Sequence, residues 1–97
     1  MIEVKRCKGG ISIEGHAGYA PHGQDIVCAA VSVLAQNLVM SLEELTGDEI
    51  SYDMQSGMIH IQHGNLSSRA QVLIDSFFIG VKAIADNYPD NVRVEQA

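Results

Sequence analysis

The side chains that could do chemistry are concentrated in one segment of the chain, residues 15–32. This segment contains two histidines, His16 and His22, and one cysteine, Cys28. A thiol and an imidazole together can cleave an acyl bond, because the imidazole takes the thiol proton and the thiolate attacks the carbonyl carbon. The second cysteine, Cys7, falls on the charged face of a predicted edge-like strand, and we interpret it as an incidental thiol.

Cys28 is predicted to lie in the first turn of a helix. Asp25 stands where an N-cap residue belongs, directly before the apolar-rich run 26–46, so Cys28 takes position N3. The unpaired N–H groups and the dipole at a helix start favour an anion, and thiols placed there become nucleophiles. The alternative is that Cys28 packs as a small hydrophobic residue beside Val27 and Ala30. Position alone leaves both interpretations open.

The base that would serve such a thiol is either His16 or His22. His16 is predicted at the end of a strand, whereas His22 lies within a loop beside Gly23, where orienting its ring costs more entropy. Strict strand alternation, however, places His16 on the face of Glu14, away from the core, unless Gly15 turns the chain. Spacing therefore favours His16 only slightly over His22.

The elements that must position these residues follow from hydrophobic periodicity. Alternating segments on both sides of Gly9-Gly10 predict an opening hairpin, and the glycine-rich stretch Gly15–Gln24 predicts a loop. Further along the chain, the pattern predicts helices over 26–46 and 66–88 and strands over 50–54, 58–63 and, as an optional short final strand, 91–95. We expect an α+β fold, in which an antiparallel sheet of ββαββα order packs both helices on one face.

The length and composition predict one globular domain, spanning residues 1–97. The chain is 46% hydrophobic and 19% charged, and no apolar run approaches the roughly 18 residues that cross a membrane. The segment Met1–Lys8 alternates charged and aliphatic residues, so it is not a signal peptide. Two cysteines outside any C-x-x-C pair predict free thiols. We therefore expect a cytoplasmic protein without a membrane partner.

The formal net charge is -6, which disfavours direct nucleic-acid binding and favours a basic protein partner. The alternative is that this charge only keeps the protein soluble. His60 and His63 are three residues apart on a predicted strand, so their side chains point to opposite faces and cannot share a metal ion unless the strand has a bulge. We expect no metal site and no cofactor.

The run GHAG at 15–18 and the run DIVCAAVS at 25–32 together resemble the ribosomal-processing cysteine protease family, also called Prp. The resemblance covers this paired motif closely, and the rest of the chain agrees in length and in the order of its elements. In that family the histidine of Gly-His-Ala and the cysteine of Asp-Ile-Val-Cys form the catalytic pair. The resemblance therefore implies that His16 and Cys28 are catalytic, and it decides against His22.

The family resemblance also implies a substrate and an assembly. Members remove a short N-terminal extension from large-subunit ribosomal protein number twenty-seven, which supports ribosome maturation. Cleavage follows a hydrophobic stretch ending in Phe-Phe and precedes an Ala. Members form homodimers, and the loop between the two catalytic residues is mobile and admits the substrate. Pro21 and His22 in this loop depart from the family pattern, and they could change how the loop opens.

Several further residues have a predicted supporting role. Asp25 caps the helix and could also reach His16; Ser32, one turn beyond Cys28, matches a family serine and could line the cleft. The supporting glycines, which would give the loop its freedom, are Gly15, Gly18 and Gly23. Backbone N–H groups at the helix start could form an oxyanion hole.

Two alternatives to a peptidase follow from the same residues. The chain could be a ribosome-associated binding module without catalysis, in which Cys28 is merely packed. It could also be a thiol redox sensor, because an exposed reactive cysteine oxidises easily. No resolving cysteine lies near Cys28 in the sequence, which argues against the sensor.

Overall fold

The computed structural model describes residues 1–96, whose elements follow one another in the order ββαββαβ. The strands are β1 (Ile2–Cys7), β2 (Gly10–Glu14), β3 (Ile50–Gln55), β4 (Met58–His63) and β5 (Val92–Gln96), and the helices are α1 (Ile26–Leu45) and α2 (Ser68–Asn87). The predicted helices and hairpins are confirmed, with ends close to those read from the sequence, and the optional last strand is present.

The five strands form one sheet in the order β3-β4-β2-β1-β5. Three neighbouring pairs are antiparallel, as predicted, but β5 runs parallel to β1. The sheet is therefore mixed and mostly antiparallel. The cause is the connection from β4 through α2 to β5: a helix carries the chain back to the starting edge of the sheet, so β5 points the same way as β4 and β1.

Both helices cover the same face of the sheet, as the one-sided apolar patterns predict. Alternate residues of the central strands, such as Val4, Ile11 and Ile61, are buried beneath them. The helical residues buried against the sheet are Val27, Val31, Ala35, Leu38, Val39 and Leu42 of α1 and Ala70, Ile74, Phe77, Phe78 and Val81 of α2.

The edge strand β3 is less well covered than the central strands. Tyr52 pairs with Ile61 and Met54 pairs with Ile59, so both side chains point to the helical face of the sheet. Nevertheless, Tyr52 is 46% exposed and Met54 is 38% exposed, whereas Ile61 is 1% exposed. The helical layer thus leaves an open groove along β3.

Helix α1 is long and apolar enough to meet the length and composition criteria for a membrane span. The apolar runs of the sequence did not predict a segment of this kind. In the structure the apolar residues on one face of α1 pack into the core that both helices form with the sheet. A core helix satisfies the same criteria, so this finding assigns no membrane partner.

Candidate active site

A cleft of about 370 Å³ lies between the first turns of α1 and the hairpin formed by β3 and β4. His16, His22, Cys28 and Ser32 line this cleft. The same four side chains line an adjoining depression of about 450 Å³ on the side of the loop between β2 and α1. The structure therefore brings both candidate bases to the surface that presents the Cys28 side chain.

Cys28 lies at the third position of α1, as predicted, because Asp25 is the N-cap residue. Its backbone N–H donates a 2.9 Å hydrogen bond to Asp25 Oδ1. The side chain is half-buried: one part packs against the core, and another part faces the cleft. A thiol in this position is accessible to a ligand in the cleft while the helix start holds it in place.

The carboxylate of Asp25 joins the helix start to the preceding loop. Besides the bond from Cys28, its Oδ2 atom accepts hydrogen bonds from the N–H groups of Tyr19 at 2.9 Å and Ala20 at 3.3 Å. The bond from Cys28 contributes most to lowering the pKa of Asp25, and the bonds from the loop lower it further, because each favours the charged form of the carboxylate. Within residues 1–96, no hydrogen bond joins Asp25 to His16, so the observed contact is the capping contact.

His16 reaches the cleft because the chain turns at Gly15. Strand β2 ends at Glu14, and Gly15 has a φ of +101°, a conformation that residues with a Cβ rarely adopt. A Cβ at Gly15 would also collide with the carbonyl oxygen of Met1. The Met1 amino nitrogen donates a 2.7 Å hydrogen bond to the His16 carbonyl. The strand alternation that would place His16 on the polar face of the sheet therefore stops at Gly15, and His16 is free to face the cleft.

His22 occupies a different local setting. Both histidines are exposed, but near His22 the backbone hydrogen bond of the loop is a local one, donated by Gln24 to the Pro21 carbonyl at 2.9 Å. The backbone around His16, by contrast, is held on both sides. The Met1 amino nitrogen donates to the His16 carbonyl, and the N–H of the preceding residue, Gly15, donates to the Gly57 carbonyl in the β3–β4 turn. The geometry brings both histidines near Cys28 but holds the backbone of His16 more firmly.

The remaining predicted residues divide into two groups. Ser32 lies one turn after Cys28 and lines the same cleft, as its spacing predicts. Gly18 and Gly23 line only the depression on the loop side, and a Cβ at either would meet open space. Cys7 is exposed in a separate depression that it shares with His63, so the two thiols of the chain belong to different surfaces.

Residues 1–93 match the family model described as Cysteine protease Prp. The ribosomal processing cysteine protease Prp of Bacillus subtilis is 33% identical to this chain over 96 residues, which cover 90% of this chain and 86% of that protein. This chain belongs to the cysteine protease Prp family. The prediction of a cysteine protease is thereby confirmed.

Further known proteins agree with this chain in sequence and in fold. The Prp protein of Staphylococcus aureus is 29% identical over 87 residues, which cover 87% of this chain and 82% of that protein. A crystal structure of S. aureus Prp with a covalently linked product peptide superposes with a TM-score of 0.89, at 21% identity, over 99% of this chain and 97% of that one. A Streptococcus mutans protein superposes with a TM-score of 0.78 at 32% identity, over 98% of this chain and 90% of that one.

In this Prp-family chain, three contacts at the site were missed by sequence reasoning. Asn91 Nδ2 donates a 3.0 Å hydrogen bond to the Ala17 carbonyl, which fixes the loop just after the histidine. Tyr19 stacks edge-to-face on Tyr88, with ring centroids 5.3 Å apart. The third contact places the β3–β4 turn at Gly57 against the His16 ring. All three join residues far apart in sequence, and only the turn itself had a local signal, in Gln55-Ser56-Gly57.

The expected oxyanion hole meets a restriction at the helix start of this Prp-family chain. The N–H of Cys28 donates to Asp25 Oδ1 at 2.9 Å, and the N–H of Ala29 donates to the Asp25 carbonyl at 3.0 Å. The backbone N–H groups of Cys28 and of the residue after it are therefore already engaged. An oxyanion at this site would have to use other donors or displace the capping carboxylate.

Proposed function

We propose that this chain is a cysteine endopeptidase that removes the N-terminal extension of large-subunit ribosomal protein number twenty-seven and so supports ribosome maturation. Cys28 acts as the nucleophile and His16 as the general base. The observation that carries the proposal is the shared cleft: a half-buried thiol at the start of α1 and an imidazole held by a glycine turn line one surface. The relatives named as ribosomal processing proteases support the choice of substrate class.

The proposed reaction runs through an acyl-enzyme. His16 takes the proton of the Cys28 thiol, and the thiolate attacks the carbonyl carbon of the scissile peptide bond. The tetrahedral oxyanion collapses, the C–N bond breaks, and the imidazolium gives its proton to the leaving amine. His16 then takes a proton from water, and the resulting hydroxide attacks the thioester. The C–S bond breaks, the product leaves as a carboxylic acid that ionises in solution, and His16 returns its proton to the Cys28 thiolate.

The surface of the cleft supports an apolar substrate segment. Its walls include Ile13, Val31 and Ile59, together with the flexible side chains of Met54 and Met58. Methionine adapts its shape to bulky partners and makes favourable contacts with aromatic rings. These features suit the hydrophobic stretch ending in Phe-Phe that the family resemblance implies before the cleaved bond.

Charge and surface support the remaining parts of the proposal. The net charge of -6 favours encounter with a basic ribosomal protein over direct binding to nucleic acid. The outer face of α1 exposes Ile26, Val33 and Met40 at seven-residue intervals, an apolar stripe that a second copy of the chain could cover. We therefore propose a cytoplasmic homodimer that needs no cofactor, no metal and no membrane.

The decisive experiment is cleavage of a peptide that spans the hydrophobic extension and the Ala after it. Cys28→Ala should abolish cleavage and leave the fold intact, because alanine is a good helix former. Cys7→Ala is the matched control, since its thiol lies in a separate depression, and it should cleave at the wild-type rate. Cleavage that survives Cys28→Ala would contradict the assignment of the nucleophile.

Alkylation separates a protease from a binding module with a packed thiol. Iodoacetamide should modify Cys28 rapidly at neutral pH and block cleavage, because the thiol faces the cleft. The rate is measured on Cys7→Ala, so that a single thiol reports. An inert Cys28 in a folded protein that still binds the peptide would favour the binding module.

A further inference from the structure

We propose that Gly57, in the turn between β3 and β4, is a positioning residue for His16. The absence of a side chain at Gly57 leaves the space that the imidazole occupies in the cleft beside Cys28. This inference rests on the proposed function, in which His16 is the general base, and it adds to that function a residue from a distant part of the chain.

The contact between Gly57 and the ring is closer than any side chain would permit. A Cβ built on Gly57 would lie 2.8 Å from His16 Nε2, 3.2 Å from Cε1 and 3.4 Å from Cδ2. Carbon atoms in proteins pack at about 3.5–4.0 Å, so a methyl group here would push the ring away. The ring edge that carries Nε2 therefore packs directly against the backbone of the turn.

The turn cannot readily retreat to make room for a methyl group. The Gly57 carbonyl accepts a 2.8 Å hydrogen bond from the N–H of Gly15, the residue before His16. The adjacent residue Met58 pairs with Glu14 in the ladder between β2 and β4. The turn and the histidine are thus fixed to each other by backbone bonds, and the side chain is the part that would move.

Movement of the ring matters because all three residues line one cleft. Gly57, His16 and Cys28 contribute to the same surface. The nitrogen of a base must lie within about 2.6–3.2 Å of the atom whose proton it takes, and misplacement by about 1 Å can cost about 10²-fold in rate. A methyl group at Gly57 should therefore reduce catalysis without touching the thiol.

A simpler explanation for this glycine is the turn conformation itself. Gly57 has a φ of +72°, which favours glycine in any hairpin. Gly9, in the turn between β1 and β2, provides the matched control, because its φ is +84° and its added Cβ would make only an ordinary 3.7 Å contact with the His63 carbonyl. Substitution at Gly9 therefore carries the conformational cost without a collision at the site.

The experiment compares Ala and Asn at both glycines. Asn tolerates the left-handed conformation better than Ala but carries the same Cβ. If the turn conformation alone matters, Asn should restore activity at both positions. We expect instead that Gly57→Ala and Gly57→Asn both lose at least about 10-fold in kcat on the extension peptide, with KM little changed, while Gly9→Asn keeps wild-type kinetics.

An NMR measurement reports the position of the His16 ring without relying on cleavage. The ring Cε1–H signal of His16 should shift in Gly57→Asn and stay at the wild-type position in Gly9→Asn. This comparison uses only the Asn variants, so it remains possible if Gly57→Ala does not fold. Recovery of kcat in Gly57→Asn, or an unshifted His16 signal, would overturn the positioning role. A wild-type protein that cleaves no peptide would contradict the proposed function instead, and the ring signal would still decide whether Gly57 positions His16.

Discussion

Replacing Gly15 by alanine should damage both the stability of the fold and the placement of His16. Gly15 has a φ of +101°, and its added Cβ would collide with the backbone carbonyl oxygen of Met1. Met1 is also the residue whose nitrogen binds the His16 carbonyl at 2.7 Å. Relief of the collision must therefore displace the segment that holds His16. Gly18 offers a matched control, because it has a φ of +69° but its Cβ would meet nothing within 4 Å.

The two substitutions separate a conformational cost from a steric one. An L-residue in the left-handed region costs about 1–2 kcal/mol, and the stiffer unfolded chain returns about 0.4–1 kcal/mol. Gly18→Ala should therefore lower the free energy of unfolding by about 1.6 kcal/mol or less. Forcing an extra carbon into a packed site adds about 1–3 kcal/mol, so Gly15→Ala should lose about 1–3 kcal/mol more than Gly18→Ala.

Urea denaturation followed by circular dichroism measures the loss of stability, and kcat/KM on the extension peptide measures the effect on the site. We expect kcat/KM of Gly15→Ala to fall by about 10²-fold, as for a base displaced by about 1 Å, while Gly18→Ala stays close to the wild type. If Gly15→Ala matches Gly18→Ala in both measurements, the turn at Gly15 does not position His16.

Two further predictions concern the base and the helix cap. His16→Ala should lower kcat/KM on the extension peptide by about 10²–10⁴-fold, the range for a lost general base, whereas His22→Ala should cost much less; a loss confined to His22→Ala would reassign the base. The pKa of Asp25 is lower in the folded state than its ordinary value of 3.8, so the charged carboxylate stabilises the fold at pH values above 3.8. This stabilisation is lost as the pH falls below 3.8 towards the lowered folded-state pKa. Urea denaturation at several pH values measures the difference in unfolding free energy between the wild type and Asp25→Ala, and this difference should shrink over that acidic range. The control is Asp90→Ala, which changes an exposed carboxylate. A difference for Asp25→Ala that does not vary with pH, or that is no larger than for Asp90→Ala, would contradict the role of the charge.

The parts of the site that rest on local signals could be predicted from the sequence. Asp25 before an apolar run marks a helix start, and this alone places Cys28 at the third helical position and Ser32 one turn later on the same face. Alternating residues around Gly9-Gly10 likewise mark the opening hairpin. Each of these features depends on residues within a few positions of one another, so the sequence pattern carries the information.

The parts that depend on long-range pairing could not be predicted. The parallel pairing of β5 with β1 joins the two ends of the described chain, and no local pattern sets its direction. Gly57 meets His16 only because β4 pairs with β2 in one register, and Asn91 reaches Ala17 only because β5 lies beside β1. Alternation also misplaced His16, because it assumes that a strand continues, and the positive φ of Gly15 ends β2 before the histidine.

The way in which the loop is tied to the helix limits how it can open. Asp25 uses one carboxylate oxygen for Cys28 and the other for the N–H groups of Tyr19 and Ala20. A loop that moves away from the cleft can release the second oxygen while the first continues to cap α1. Because the Ala17 carbonyl is bound by Asn91 at 3.0 Å, the movement would begin after Ala17 and leave His16 in place. Opening of the loop after Ala17 would therefore leave the proposed catalytic pair in place, since the Asp25 Oδ1 bond to Cys28 does not depend on the loop contacts of Asp25 Oδ2.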